Sequence, residues 1–77
     1  MSESIEIPYL ERKRQLNKKR NREIFISAAK DTFTKMGVDK SSIRQITKIT
    51  NLGSGTFYNY FRNKNSIFIV INERFVQ

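Results

Sequence analysis

From Ile24 onward, apolar residues recur at the period of a helix and not of a strand. Phe25, Ala29, Phe33 and Met36 fall four, four and three apart, with Ile24 and Ala28 beside them, which gathers one core-facing stripe along a helix. That helix is predicted to stop near residue 36. Gly37 takes at low cost the positive φ that ends a helix, and Lys35 sets a cation at the negative end of the macrodipole. A second helix is signalled by Ser42-Ile43-Arg44-Gln45, where the Ser hydroxyl accepts the backbone N–H three residues on while Gln45 reaches back. Ile43, Ile46 and Ile49 form its expected buried face, with Arg44 and Lys48 outward. Asn51-Leu52-Gly53 interrupts it, because Asn tolerates the left-handed conformation of a tight turn and Gly is a weak helix former. A third, short helix is expected over about residues 54–61, followed by a break at Arg62-Asn63. Asn63 then caps a last helix in which Ile67, Phe68 and Ile71 are apolar. Four helices with no strand period, repeat or internal linker make the predicted fold class all-α.

Ahead of the stripe the pattern changes. RKRQLNKKRNR, from Arg12 to Arg22, carries seven basic side chains and no acidic one, so the segment repels itself and invites a polyanion. Two conformations stay open for residues 1–21. They form a basic arm, or an extension of the first helix, since Pro8 suits a first helical turn and no Gly or Pro follows before Gly37. Residues 22–77 read as the folded module.

Composition narrows the chemistry. Seventy-seven residues make one small domain that buries only about 60–65 % of its unfolded surface, too little for a large enclosed active site. The chain has no Cys and no His, so it lacks thiolate and imidazole ligands and the commonest general base. Neither an enzyme nor a metal or other cofactor is expected. A formal charge of +8 favours nucleic acid or an anionic membrane face as partner. No apolar run approaches the roughly 18 residues of a membrane span, and the N-terminus MSESIEIPYL has no basic flank followed by an apolar stretch. A cytoplasmic location follows as the expectation.

Two short helices joined by a tight turn form the helix-turn-helix geometry, which sets its second helix into the major groove of DNA. The stretch GTFYNYFRNK, Gly55 to Lys64, is the part to read closely. At about 100° per residue, Phe57 and Phe61 lie within about 40° of each other and point to the core. Tyr58 and Tyr60 fall about 80° to either side, where a ring leans on the core while its hydroxyl reaches the surface. Gly55, Thr56 and Asn59 occupy the opposite face, small and polar enough for close approach to a groove.

From Ile24 to Phe68 the chain resembles the DNA-binding domain of the TetR (tetracycline-repressor) family of bacterial transcriptional regulators. The resemblance is carried by the Ala28-Ala29, Phe33 and Gly37 pattern, by Ser42-Ile43-Arg44-Gln45-Ile46, and above all by GTFYNYFRNK with Ile67 and Phe68 behind it. Thr47 and Thr50 depart from the pattern where small Ala is common, Asn51 where Gly is usual, and Gly53 where Ser or Thr usually caps the recognition helix. The resemblance implies a three-helix, homeodomain-like helix-turn-helix bundle plus the start of a fourth helix. It also implies sequence-specific binding of double-stranded DNA as the operator-reading module of a repressor, with the helix at about residues 54–61 in the major groove.

Roles follow for the matching positions. The resemblance implies that Arg44, Ser54, Gly55 and Asn59 read bases, Arg44 through its planar fork and Gly55 by permitting close approach. It implies that Ser42, Thr56, Tyr58, Tyr60 and Lys64 bind phosphate oxygens, which fix register without reading sequence. Lys48 is a weaker candidate, as are Lys30, Lys35 and Lys40, because an outward Lys on a helix is usually just solvated. The family also has a helical C-terminal domain that dimerises and binds an inducer. Against that pattern these residues read as a DNA-binding module, excised or naturally truncated, whose full-length form is a homodimer on a palindromic operator in the nucleoid. A reading from a different class is a basic interaction module on an anionic membrane or an acidic protein, for which Leu10 and Leu16 supply too little apolar surface to make a strong membrane face.

Overall fold

The computed structural model describes residues 9–75, so Pro8 and the rest of residues 1–8 lie outside the described part, as do residues 76 and 77. Four helices follow one another: α1 (Tyr9–Met36), α2 (Ile43–Thr50), α3 (Ser54–Tyr58) and α4 (Lys64–Phe75). The chain is all-α, as its periodicity predicts, and no strand occurs among the described residues. From Tyr9 the basic segment runs without a break into the core-facing part of α1. At about 1.5 Å per residue, the 28 residues of α1 reach about 42 Å.

The core is small and rich in aromatic rings. Phe25, Ile26, Ala28 and Ala29 of α1, Ile46 of α2, Phe57 of α3, Phe61, and Ile67 and Ile71 of α4 are all buried in it. Phe25 meets the Phe57 ring edge-on at 5.3 Å between centroids, and Phe33 meets Phe68 the same way at 5.8 Å. Such pairs contribute about 0.5–1.5 kcal/mol beyond their burial, and they tie α3 and α4 to α1. Arg74 of α4 donates to the Glu23 carboxylate of α1 at 2.5 Å. That hydrogen bond, helped by the charges of Arg74, Arg22 and Lys19, holds the Glu23 carboxyl below its ordinary pKa despite slight desolvation.

The helix ends follow local chemistry. Gly37 closes α1 at φ 84°, and its N–H donates to the Phe33 carbonyl at 2.8 Å. At α2 the Ser42 hydroxyl accepts the Gln45 N–H at 3.1 Å while the Gln45 side-chain Oε1 accepts the Ser42 N–H at 2.9 Å, the reciprocal pair read from the sequence. Asn51 ends α2 in the left-handed region at φ 64°. Asn63 accepts the Ser66 N–H at 2.9 Å and so caps α4.

Three expectations are corrected. Ile49 is 60 % exposed, because the inward arc of α2 is Ile46, Thr50, Ile43 and Thr47, spanning about 100°, and Ile49 lies about 60° beyond Ile46 on the other side. On α1, Ile24 and Met36 are 36 % and 40 % exposed, whereas Ile26 and Thr32 are buried. Thr32 is satisfied there by donating to the Ala28 carbonyl at 2.9 Å. The third helix ends at Tyr58, not near residue 61. Asn59 and Tyr60 instead bond to the carbonyls three residues back, Thr56 and Phe57, the tightening common at helix ends. Phe61 still donates to the Phe57 carbonyl at 3.0 Å, which keeps its ring in the core.

Candidate nucleic-acid interface

The link between α2 and α3 is three residues long, Asn51 to Gly53, and it is held by Thr50. The Thr50 hydroxyl donates to the Thr47 carbonyl at 2.8 Å and accepts the Leu52 N–H at 3.0 Å. The Asn51 N–H also reaches the Thr47 carbonyl, at 3.1 Å. With Leu52 packed on the core, this fixes the angle at which α3 leaves α2. Neither Thr47 nor Thr50 was marked as functional by the sequence pattern. The available signal was a hydroxyl next to a turn Asn, since Ser and Thr bond readily to nearby backbone.

Outside this turn lies an open hollow of about 670 Å³ whose lining includes Arg44, Lys48, Asn51 and Ser54. It brings two expected base readers, Arg44 and Ser54, against one wall, and Lys48, a weaker candidate, sits with them one helical turn from Arg44. Gly55 and Asn59 are exposed further along α3, and Thr56 is half-buried. A Cβ built at Gly55 would meet nothing within 4 Å, so its smallness answers no need inside the fold.

The rings divide as the helix wheel predicts. Phe57 and Phe61 are 0 % and 5 % exposed, while Tyr58 is 55 % exposed and stands edge-on to Phe57 at 5.5 Å. Tyr60 is half-buried, tilted against Phe25 at 5.9 Å. Gly53 caps α3 in an extended conformation without a side-chain hydrogen bond.

Two of the expected phosphate binders already have partners within the fold. Ser42 is exposed, but its hydroxyl is engaged twice with Gln45, accepting its N–H and donating to its side-chain oxygen at 3.2 Å. The Lys64 ammonium donates to the carbonyls of Val38 at 2.6 Å and Ser41 at 2.9 Å. It thereby ties the start of α4 to the α1–α2 connection, a role that spacing in the sequence gives no sign of, 26 residues away. Arg22 is another partner that the pattern left unassigned, its guanidinium lying 5.4 Å from the centre of the Phe61 ring. No helix among the described residues is long and apolar enough to cross a membrane.

Residues 25–71 match the family of bacterial regulatory proteins known as the tetR family. The chain is 32 % identical over 47 residues to YhgD of Bacillus subtilis, an uncharacterised HTH-type transcriptional regulator, covering 61 % of this chain and 25 % of the relative. It is 39 % identical over 51 residues to YvdT, another uncharacterised HTH-type transcriptional regulator of the same organism, covering 66 % of this chain and 26 % of the relative. The chain thus spans about a quarter of the length of these relatives. No solved structure matches it significantly.

Proposed function

This chain belongs to the tetR family of bacterial regulatory proteins, and we propose that it is the operator-reading module of a repressor, with α3 and the turn through Phe61 seated in the major groove of DNA. The observation that carries the reading is the open hollow between α2 and α3, where Arg44, Lys48 and Ser54 converge beside the small polar face of α3. Arg44 directs its fork at a guanine edge, which presents the O6 and N7 acceptors that a guanidinium matches. Ser54, Gly55 and Asn59 face the bases, and Gly55 lets the backbone come close. Ser42, Thr56, Tyr58, Tyr60 and Lys64 hold phosphates on either side and set the register. Of these, Tyr58 is supported by its exposure. Lys64 contributes through the one ammonium N–H that its two carbonyl partners leave over.

The protein acts by occupying promoter DNA and performs no catalysis. Residues 22–77 form the reading module, and residues 1–21 a basic extension of it. A longer form pairs through a C-terminal domain as a homodimer on a palindromic operator, working in the cytoplasm at the nucleoid. A single recognition helix contacts one half-site, so the 77-residue chain binds far more weakly than a tethered pair would. Fluorescence anisotropy with a labelled duplex over a salt series tests the reading. Log affinity is expected to fall linearly with log salt, by about 0.9 for each phosphate neutralised. An affinity unchanged between low and moderate salt would remove the phosphate mechanism.

A further inference from the structure

We infer that the N-terminal half of α1 is a second DNA-binding element, which lays Lys18, Lys19 and Arg22 against the phosphate backbone beside the half-site read by α3; the inference rests on the operator-reading function proposed above. The family match begins at residue 25, so the element lies outside the segment that the family accounts for.

Three observations carry it. First, the charges are held in a rigid frame, because α1 is one helix from Tyr9 to Met36 and residues 12–20 are exposed along it. Second, they adjoin the reading helix. Gln15, Lys18, Lys19 and Arg22 line a shallow open hollow of about 310 Å³ together with Tyr60, just beyond the end of α3. Arg22 is further anchored over the Phe61 ring at 5.4 Å, which orients its guanidinium without neutralising it. Third, Lys18 and Lys19 have no ion-pair partner among the described residues. Ion pairs in this segment join Arg14 to Glu11 at 3.4 Å and Arg22 to Glu23 at 4.0 Å.

Duplex DNA fits this surface best. Seven cations between Arg12 and Arg22 occupy about 15 Å of helix, a density that only a polyanion matches, and duplex DNA offers one negative charge per roughly 1.7 Å of its axis. A membrane is the poorer occupant, because Leu16 is the single apolar side chain between Arg12 and Arg22 and an interfacial helix needs an apolar face.

The helix wheel supplies an internal control. Lys18 and Lys19 point toward the Tyr60 side, whereas Lys13 and Arg20 point about 160° away from their mean direction. Lys18→Gln/Lys19→Gln and Lys13→Gln/Arg20→Gln therefore remove equal charge from opposite faces. All four side chains are exposed, so circular dichroism should show both variants folded. The test is anisotropy over a salt series, using a 30-base-pair duplex enriched from a random library and its scrambled counterpart. The Lys18/Lys19 variant is expected to weaken binding to both duplexes alike and to flatten the log–log salt slope by roughly 1–2 units, at about 0.9 per contact. The Lys13/Arg20 variant should keep the parental slope within about 0.5 units, below one contact. Equal losses in the two variants would reduce the effect to general charge attraction and overturn the inference. So would parental binding by the Lys18/Lys19 variant, with the operator-reading function left standing. Loss of binding to phosphatidylserine vesicles with unchanged duplex affinity would assign the face to lipid instead. Failure of the parent to bind any duplex would sink both readings.

Discussion

The Lys64 ammonium has three N–H donors and directs two of them at the Val38 and Ser41 carbonyls. Its truncation therefore has two consequences that a purely surface lysine would not combine. Lys64→Ala is expected to cost about 1.5–3 kcal/mol of stability, the range for hydrogen bonds involving a charged group, and so to lower the melting temperature by roughly 6 °C or more. It should also weaken DNA binding evenly across sequences. Arg44 has no such structural tie among the described residues beyond its backbone, and Arg44→Ala should leave the melting temperature in place. Its effect falls on discrimination, about 1–3 kcal/mol at one base pair. Melting curves and competition binding on the two variants separate the roles, and an unchanged melting temperature for Lys64→Ala would reduce it to a surface residue. The outward Arg44 was legible in the sequence because helical spacing alone sets its direction. The Lys64 contacts were not, because they join residues brought together only by the packing of α4 on the α1–α2 connection.

At the scale of elements, α3 is the weakest in itself and the most dependent on its neighbours. Five residues are too few to sustain a helix unaided, and its cap, Gly53, offers no side-chain hydrogen bond. What holds it is Phe57 against Phe25 below and the Thr50-braced turn ahead. Gly53 sits at φ −72° and ψ 166°, open to any residue, and a Cβ there would meet nothing within 4 Å. Gly53→Ser should accordingly stabilise the domain by a few tenths of a kcal/mol, roughly 1–3 °C in melting temperature. A fall in melting temperature would show that the cap geometry differs from the one described. The same dependence explains what the sequence concealed. The capping box of α2 and the closing Gly37 are local and were readable. The exposure of Ile49 depends on how α2 is rotated against α1, a direction that periodicity fixes only to within about 60°, and the early end of α3 lies in bonds to carbonyls three residues back that no residue pattern announces.

On the scale of the whole molecule, the chain is a small aromatic core with an excess of positive charge arranged around one helix-turn-helix. The apolar face joins α1, α2 and α4, and the Glu23–Arg74 pair braces α1 against α4 at the surface. Because the Glu23 carboxyl is held below its ordinary pKa, the contribution of that pair is present at neutral pH and is lost as the pH falls through the lowered value. It is a surface pair and adds little. The fold class was legible because four helical segments and their stops are written in local pattern. The path of residues 9–21 was not, since a self-repelling segment is compatible with an arm or a helix until the continuous α1 decides. The proposed function requires that α3 and the residues beside it read DNA from the major groove. Guanine N7 lies in that groove, whereas adenine N3 lies in the minor groove. Methylation interference on a duplex enriched by the chain from a random library distinguishes the two grooves. N7 methylation is expected to weaken binding at guanines clustered within one half-site, with one of those positions losing its effect in Arg44→Ala. Binding indifferent to every N7 methyl group but abolished by methylation at adenine N3 would contradict it.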